Sequence, residues 1–394
     1  MRIGFVNHTR RKVGGAEVYV DSVMPALAAA GHEIACLIED DSTSDRELIR
    51  VPSGAPQWFC SQLGPEDAVK RLKAWRPDVC FTHGLHDTHL ESQIAAMGHS
   101  ALYVHNYYGT CISGDKTQRN GVPKQCQRVF GARCLAHYFP DRCGGRSPAT
   151  MWKQYRLQSN RLGVMRRYRT LIANSQYIAA ELDRHGLKSE CLYPFTGGSQ
   201  QIAEAADFGR DPLVVLFAGR MHELKGAHIL ANTAPEIQRR LARKLHVLFV
   251  GDGPDRPKIE GFAASLRNEN LSFEFTGWIG NEALRRQIVS AHLLVMPSIW
   301  PEPFGLSGLE AGLLGVPAVA FAVGGIPEWL HDGVNGHLAT LPATSQSLAE
   351  AVIRVFCHAD HYQQLRRGAL EVSGQFSIQK HLGELVQIFE RCAA

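Results

Sequence analysis

The chain has 394 residues, of which 45% are hydrophobic and 20% are charged, and its formal net charge is +4. This length exceeds what one hydrophobic core usually organises, and the composition is that of an ordinary globular protein with two domains. The start turns polar too early for a signal peptide, and no run of 18 apolar residues occurs, so we expect a cytoplasmic protein without a spanning helix.

The first half of the chain alternates apolar runs with loops and helix-like segments. Strands are predicted at 2–7, 33–39, 78–82, 101–105 and 171–173. The first of them leads through Gly14 and Gly15 into a helix that ends near Gly31. This strand–loop–helix–strand order is typical of doubly wound α/β folds. The loop lacks a full Gly-x-Gly-x-x-Gly pattern, so a nicotinamide cofactor is only weakly supported.

Residues 111–146 have no period of 2 or 3.6, and we interpret them as an insertion. A stretch of this length without regular structure is expected to be held by a cross-link or a bound metal ion, or to have a function of its own. Its cysteines could hold a structural zinc ion, remain free or redox-active thiols, or form disulfides; they are Cys111, Cys126, Cys134 and Cys143. The spacing lacks the close cysteine pair of most zinc sites, and His137 is an alternative ligand. The lack of a secretion signal disfavours disulfides.

Positive charge is concentrated between residues 111 and 170. This stretch holds 13 Lys or Arg residues against two acids, Asp115 and Asp141. Such an excess attracts polyanions or an anionic membrane surface. Residues 151–168 could form a basic amphipathic helix lying on the inner face of a membrane, or a solvated helix that packs its apolar side on the domain. No nucleic-acid-binding module is recognisable, so we expect no nucleic-acid partner.

The strand–helix pattern restarts after a linker predicted at 194–212. Strands are predicted at 213–217, 245–250, 272–276 and 293–296, and helices at about 227 onward, 348–357, 362–372 and 378–391. A second series that begins at mid-chain predicts two similar domains with a cleft between them.

Arg220 and Lys225 lie between the first strand and the first helix of this second series. The helix dipole favours acids at that position, so it does not explain two cations. A bound diphosphate would explain both, because Arg can bind it as a fork and Lys as a point charge.

Residues 293–325 read as strand, loop, helix, strand and loop. A turn at 304–308 opens the helix, where free backbone N–H groups suit an anion. Gly305 and Gly308 allow close approach of a ligand to this backbone. Glu302 and Glu310 bracket the turn, an arrangement that suits a diphosphate with a sugar ring at each end.

The segment Pro-Glu-Pro-Phe-Gly-Leu-x-x-Leu-Glu-Ala, which begins at Pro301, resembles the signature of the retaining nucleotide-sugar glycosyltransferases of family 4. That family has the GT-B fold: two Rossmann-like doubly wound domains facing across a cleft, with a C-terminal helix that crosses back to the first. The resemblance covers nearly the whole chain and implies an acceptor-side domain at 1–195 plus 375–394. It implies a donor-binding domain at 212–374. The insertion departs from the family pattern.

The resemblance also implies roles for individual residues. Glu302 and His105 would lie by the donor sugar, and Arg220 and Lys225 would neutralise the leaving diphosphate. Glu310 would bind the ribose. The donor-binding set that it implies is Gly14, Gly15, Gly219, Trp278, Ile279, Phe304, Gly305, Leu306 and Glu310.

We therefore expect a retaining transfer of sugar from a UDP- or GDP-linked donor to a hydroxyl group. The expected acceptor is a lipid-linked or polysaccharide glycan of the cell envelope, and the protein could be peripheral on the membrane. No Asp-x-Asp occurs in the sequence, so no metal cofactor is expected for catalysis. Cations and a helix start can stabilise a leaving diphosphate in its place.

Two other functions fit the same architecture. A nucleotide-sugar epimerase would need acid–base groups beside the sugar and no acceptor. A non-catalytic nucleotide-sugar-binding protein would be expected to have lost one of the two cations or two glutamates, and all four are present.

Overall fold

The computed structural model describes residues 1–12, 14–41, 47–197 and 207–394. Residues 198–206 of the predicted linker lie outside this described part. The chain divides into two compact units. Unit 1 comprises Met1–Lys116, Gln127–Phe195 and Ile378–Ala394, and unit 2 comprises Thr117–Cys126 and Thr196–Ser377.

The described strands are, in chain order, β1 (Arg2–Thr9), β2 (Glu33–Asp40), β3 (Gln57–Phe59), β4 (Val79–His83), β5 (Ser100–Val104), β6 (Thr117–Gln118), β7 (Lys124–Gln125), β8 (Thr170–Ala173), β9 (Glu190–Cys191), β10 (Leu213–Ala218), β11 (Leu245–Val250), β12 (Leu271–Gly277), β13 (Leu293–Met296), β14 (Ala318–Phe321) and β15 (Gly336–Ala339).

The described α-helices are α1 (Gly15–Ala29), α2 (Cys60–Leu63), α3 (Pro65–Ala74), α4 (Thr88–Ala95), α5 (Arg133–His137), α6 (Pro148–Met165), α7 (Gln176–Asp183), α8 (Ala227–Leu241), α9 (Arg256–Leu266), α10 (Asn281–Ser290), α11 (Leu306–Gly312), α12 (Ser345–Val355), α13 (Ala359–Gly374) and α14 (Ile378–Ala393). Short 3₁₀ turns lie at Glu223–Lys225 and Ile326–Glu328. None of the described helices combines the length and the hydropathy that a bilayer span requires.

Unit 1 is built on a parallel sheet with the strand order β3-β2-β1-β4-β5-β8-β9. Every residue of β4 and β5 is buried. Such continuous burial is typical of parallel strands that are covered by helices on both faces. Helix α14 belongs to this unit, and the Phe389 ring lies 4.9 Å from the Phe81 ring in the core.

Unit 2 is built on a second parallel sheet with the strand order β12-β11-β10-β13-β14-β15. Strands β13 and β14 are buried along their whole length. The order reverses between β10 and β13, and loops at the carboxyl ends of the strands on both sides of such a point form the usual ligand crevice of open α/β sheets. The prediction of two Rossmann-like units is confirmed.

The insertion contains more regular structure than the sequence predicts. Strands β6 and β7 form a small antiparallel pair, and α5 follows. The sequence assigns 111–146 as a whole to the first domain, whereas residues 117–126 group with unit 2. The period was undetectable because two-residue strands and a five-residue helix are shorter than any window that reveals one.

A buried ion pair fixes the first part of the insertion. The Lys116 ammonium contacts the Glu181 carboxylate, and the two side chains are 2% and 1% exposed. Lys116 Nζ also donates to the main-chain carbonyls of Thr110 and Arg128, at 3.3 and 2.7 Å. A buried cation needs this degree of pairing, because removal from water is costly.

Candidate functional site

Three loops of unit 2 interlock where strands β10, β13 and β14 end. Gly226 has φ 71°, and a Cβ there would lie 1.8 Å from the carbonyl oxygen of Pro297. Gly324 has φ 60°, and a Cβ there would lie 2.0 Å from the carbonyl oxygen of Glu302. The glycines therefore permit backbone contacts that no other residue would allow, and these contacts bring distant parts of the chain together.

Lys225 and Glu302 meet at this junction. Lys225 Nζ lies 2.6 Å from Glu302 Oε1, and Ser298 Oγ donates to the same carboxylate oxygen at 2.6 Å. The Glu302 side chain is 7% exposed, whereas that of Lys225 is 31% exposed. The ammonium also lies 4.7 Å from the centre of the Trp300 ring. The carboxylate is thus held in place by two donors, and the ammonium remains accessible to a ligand.

Arg220 lies in the same loop as Lys225, directly after β10. Its side chain is exposed and makes no hydrogen bond or ion pair within the described part of the chain. An arginine without a counter-charge, five residues before a partly exposed lysine, gives this loop an uncompensated positive charge. Such a loop attracts anions.

The turn before α11 is rigid. Gly305 precedes the helix with φ 92°, and Trp329 Nε1 donates to the Phe304 carbonyl at 2.8 Å. The Phe304 side chain is 2% exposed, so it supports the turn from inside. A Cβ on Gly308 would lie 1.9 Å from the Trp329 ring, which explains the glycine at that position. Leu306, the first helical residue, is partly buried.

Glu310 lies one turn further along α11. It keeps some exposed surface, and burial of its carboxyl raises its pKa above the ordinary value. It has no hydrogen-bond or ion-pair partner among the described residues. A carboxyl group that is desolvated and unpaired is a candidate for binding hydroxyl groups.

The carboxyl ends of β10, β11 and β12 are linked through their main chains. Gly219 N donates to the Val250 carbonyl at 3.0 Å, and Gly251 N donates to the Gly277 carbonyl at 2.9 Å. Trp278 follows this link with 65% of its surface exposed, and Ile279 is half-buried. The Trp278 ring is therefore available to a flat ligand at the same edge of the sheet.

The predicted residues of unit 1 lie in two places. Gly14 and Gly15 are exposed at the start of α1, where the Glu17 carboxylate accepts from Gly14 N at 2.8 Å. His105 follows β5, and its Nε2 lies 3.0 Å from Nδ1 of His83. Burial lowers the pKa of His105 to about 3, so the ring is neutral.

The four clustered cysteines form no metal site in the described part of the chain. Among the described residues, no group of three or more His, Cys, Asp or Glu side chains is arranged to hold a metal ion. The Cys111 sulfur accepts from Lys116 N at 3.3 Å, and the Cys143 sulfur lies 3.9 Å from the His137 carbonyl. Cys126 belongs to unit 2, whereas Cys111, Cys134 and Cys143 belong to unit 1, and none of the four forms a disulfide bond in the described part of the chain. The geometry does not support the expected zinc site.

Helix α6 packs one face and exposes the other. Gln158, Arg161, Leu162, Val164 and Met165 are its buried residues. Arg161 pairs with the buried Glu91 at 3.3 Å, and burial raises the pKa of that carboxyl to about 7. The exposed face carries Trp152, Lys153, Arg156 and Leu157. The buried face of α6 fits the interpretation of residues 151–168 as a solvated helix that packs its apolar side on the domain. The outer face is basic and partly apolar.

Sequence reasoning assigned no role to three residues of these sites. Ser298 and Trp300 lie within the segment that carries the resemblance, and their proximity to Glu302 in the chain was a usable signal. His83 directly follows the predicted strand 78–82, and His105 ends the predicted strand 101–105; parallel neighbours place such ends side by side.

Comparison with known proteins gives matches over both halves of the chain. The sequence profile described as Glycosyltransferase Family 4 matches residues 13–193, and the profile described as Glycosyl transferases group 1 matches residues 212–358. The D-inositol 3-phosphate glycosyltransferase of Streptomyces avermitilis is 32% identical over 360 residues, which cover 82% of this chain and 72% of that protein.

Other matches cover a smaller part of the chain or are similarities of structure at low sequence identity. The Uncharacterized glycosyltransferase MJ1607 of Methanocaldococcus jannaschii is 33% identical over 145 residues, 37% of this chain and 36% of that protein. The chain spans between 34% and 48% of the first curated relatives that it matches. The crystal structure of Anabaena Alr3699/HepE in complex with UDP has a TM-score of 0.67 at 18% identity and covers 99% of this chain and 100% of that one, which shows a common fold.

Proposed function

The chain belongs to glycosyltransferase family 4 and has the GT-B type of fold, and from this premise we propose that it transfers a sugar from a nucleoside-diphosphate sugar to a hydroxyl acceptor. We propose further that the anomeric configuration is retained. The observation that carries the proposal is the Lys225–Glu302 pair, 2.6 Å apart, in which Lys225 lies on the same loop as Arg220, whose side chain has no partner among the described residues.

The two cations would bind the diphosphate of the donor. Arg220 offers a planar fork for phosphate oxygens, and Lys225 offers a point charge that is still 31% exposed. As the bond between the sugar and the phosphate breaks, negative charge grows on the leaving oxygen. Preorganised cations stabilise that charge more than they stabilise the intact donor, which lowers the barrier.

Glu302 would hold the sugar that is transferred. Its carboxylate is fixed by Lys225 and Ser298, so it can accept hydrogen bonds from sugar hydroxyls with little reorganisation. In the transfer, the acceptor oxygen bonds to the anomeric carbon from the face that the phosphate leaves. The acceptor's proton passes to a phosphate oxygen, and the products are the glycoside and the nucleoside diphosphate.

Glu310 would bind the ribose of the nucleotide. Its carboxyl group is unpaired among the described residues, and its raised pKa reflects lost solvation. Two ribose hydroxyls would restore that solvation as donors. The exposed Trp278 ring and the main chain of Ile279 would contact the base of a uridine or guanosine nucleotide. The relative Alr3699/HepE was crystallised with UDP, which makes uridine the first base to test.

We propose a lipid-linked or polysaccharide glycan of the cell envelope as the acceptor, and a cytoplasmic protein that associates with the inner membrane face. The exposed face of α6 supports this, because Trp152 and Leu157 lie there beside Lys153 and Arg156. A basic face with apolar side chains binds at anionic lipid interfaces.

The test begins with thermal unfolding of the protein in the presence of UDP, GDP and their sugars. A ligand at 100 times its Kd should add about 2.7 kcal/mol to the free energy of unfolding. The stabilising donor is then incubated with glycan acceptors, and release of nucleoside diphosphate is measured. Turnover of donor into its epimer without an acceptor would instead indicate an epimerase, and binding without turnover would indicate a non-catalytic binding protein.

A matched pair of variants makes the test specific. Arg220→Gln should weaken donor binding by at least tenfold, as expected for loss of one charge-assisted contact worth about 1.5–3 kcal/mol. Arg240→Gln removes an exposed arginine on α8 and should bind the donor as the wild type does. Equal binding by both variants would contradict the proposed diphosphate site.

A further inference from the structure

His83 and His105 terminate two neighbouring strands of unit 1. His83 is the last residue of β4, and His105 follows β5, which pairs with β4 in parallel. Nδ1 of His83 lies 3.0 Å from Nε2 of His105. One of these two nitrogens carries the proton that joins the rings. Which one it is decides whether His105 presents a donor or an acceptor to a ligand.

His83 has no second hydrogen-bond partner. It is 1% exposed, and its Nε2 is buried without a hydrogen bond in the described part of the chain. The Phe81 ring lies edge-on at 4.2 Å, and the Phe5 ring stacks at 6.2 Å. These hydrocarbon rings supply no lone pair for an N–H group at that position.

Tyr19 does not supply that lone pair either, because His83 Nε2 has no hydrogen-bond partner among the described residues and the Tyr19 hydroxyl bonds to His381 instead. Tyr19 Oη lies 2.7 Å from Nε2 of His381, and Nδ1 of His381 lies 2.7 Å from the Tyr193 carbonyl. A carbonyl only accepts, so His381 carries its proton on Nδ1 and accepts the Tyr19 proton at Nε2.

The two arrangements of the histidine pair differ in what they leave buried. If His105 donated from Nε2, the neutral His83 would carry its own proton on Nε2 as a buried N–H without an acceptor. If His83 donates from Nδ1, the buried Nε2 has only an unused lone pair. Orphaned buried N–H groups are rarer in folded proteins than acceptors that lack a partner. The second arrangement is therefore favoured.

We propose that His83 is a positioning residue: its Nδ1–H group donates to Nε2 of His105 and thereby fixes the proton of His105 on Nδ1. His105 then donates a hydrogen bond to an oxygen of the substrate. The ligand class that it selects is a phosphate or sugar oxygen that accepts, and His105 does not serve as the base that takes the acceptor's proton. This role rests on the proposed function and on the position by the donor sugar that the family resemblance implies for His105.

The electrostatics of the pair agree with this assignment. Burial lowers the pKa of His105 to about 3 and holds that of His83 well below the ordinary value, so both rings are neutral near pH 7. His105 keeps part of its surface exposed, and its Nδ1 has no protein partner among the described residues. The free donor is thus left for a ligand or for water.

Nitrogen-15 NMR of histidine-labelled wild-type protein tests the proton positions directly. The two nitrogens of a neutral ring differ strongly in chemical shift according to which one is protonated, and the His105 signals are identified by their loss in His105→Gln. We expect protonated Nδ1 and bare Nε2 in His105. Protonated Nε2 in His105 would overturn the proposal. This measurement does not depend on any transferase activity, so it separates the proposal from the proposed function.

Two variants of His83 test the consequence for the substrate. His83→Asn keeps an N–H donor one bond from Cγ, where Nδ1 was, and should retain the His105 tautomer and most of kcat/KM. His83→Phe keeps a ring but removes the donor, and kcat/KM should fall by about ten- to a hundredfold, the worth of one hydrogen bond to a charged group. Equal activity of the two variants, or a loss in His83→Asn as large as in His83→Phe with the tautomer retained, would contradict the positioning role.

Discussion

The Lys225 ammonium and the Glu302 carboxylate lie 2.6 Å apart although 77 residues separate them in the chain. Each group is the nearest opposite charge of the other, and only the lysine is accessible to solvent to a large extent. In the proposed reaction the pair has two functions: it keeps the carboxylate in place and it leaves a cation for the phosphate.

Lys225→Met should reduce kcat by about 10²- to 10³-fold, the range found for removal of one group that stabilises charge in a transition state. The measurement is the steady-state release of nucleoside diphosphate. Lys258→Met, which removes an exposed lysine on α9, is the control and should retain wild-type turnover. A variant at Lys225 that turns over like this control would remove the lysine from the mechanism.

Substitutions of Lys225 and Glu302 should have coupled effects on the free energy of unfolding. Lys225→Met leaves a carboxylate that is 7% exposed with Ser298 as its remaining donor, so we expect a loss of about 1–3 kcal/mol in the free energy of unfolding. The double variant Lys225→Met/Glu302→Gln should be less destabilised than the sum of the two single variants, because no buried charge is left unpaired. Urea unfolding of the four proteins measures this coupling, and strictly additive losses would contradict it.

Glu310 should make stability depend on pH in a particular direction. Burial raises its pKa in the folded protein above the unfolded value. The folded state therefore binds the proton more tightly than the unfolded state does. The resulting contribution to the free energy of unfolding is complete below the unfolded pKa and is lost as the pH rises through the folded pKa. Glu310→Gln has no carboxyl group to ionise at this position, so its stability should not fall in this way. Its free energy of unfolding relative to that of the wild type should therefore increase with pH.

The measurement is the difference in free energy of unfolding between the wild type and Glu310→Gln, taken at several pH values from 4 upward. Glu269→Gln, at an exposed position, provides the control and should show no such trend. A difference that is independent of pH would mean that the Glu310 carboxyl is not desolvated. With a nucleotide present, Glu310→Gln should also bind more weakly, since it loses an acceptor for the ribose.

Lys116→Met should destabilise unit 1 strongly. It removes the buried cation of Glu181 and leaves that carboxylate with the partly exposed Arg184, so we expect a loss of up to about 3–5 kcal/mol, the range for a buried pair that is broken completely. Lys153→Met, at an exposed position of α6, should have little effect. A metal chelator should leave the unfolding transition of the wild type unchanged, and a chelator-dependent loss of stability would reinstate the zinc site that the cysteine geometry does not support.

The exposed face of α6 should bind anionic membranes. Wild-type protein should co-sediment with vesicles containing phosphatidylglycerol, and binding should weaken with added salt, because basic side chains supply part of the affinity. Trp152→Ser should reduce the bound fraction, since a side chain that is 52% exposed would no longer enter the interface. Phe262→Ser, at a position that is 41% exposed on α9, is the matched control. Equal binding to vesicles of neutral lipid, or equal loss in both variants, would contradict this surface.

The fold class and many of the long elements were predictable from the amino-acid sequence alone. The apolar runs at Leu245–Val250 and Leu293–Met296 coincide with the strands observed there. Such runs are readable because strands of parallel sheets are buried on both faces and carry a continuous apolar signal. The strands that were missed outside the insertion, β3, β9 and β15, have two to four residues, too few for a pattern, and the longer helices α3, α9 and α10 were not predicted either.

Which side chains meet could be seen only in the folded chain. The sequence placed Lys225 and Glu302 in the same domain, but their contact depends on the backbone approach at Gly226 and Gly324. The spacing of the four cysteines allowed a zinc site, whereas no group of three or more His, Cys, Asp or Glu side chains among the described residues could hold a metal ion, and Lys116 of the insertion pairs with Glu181 of α7. The reason is physical: hydrophobic periodicity is local in the chain, whereas pairing of polar groups depends on loop paths between distant segments.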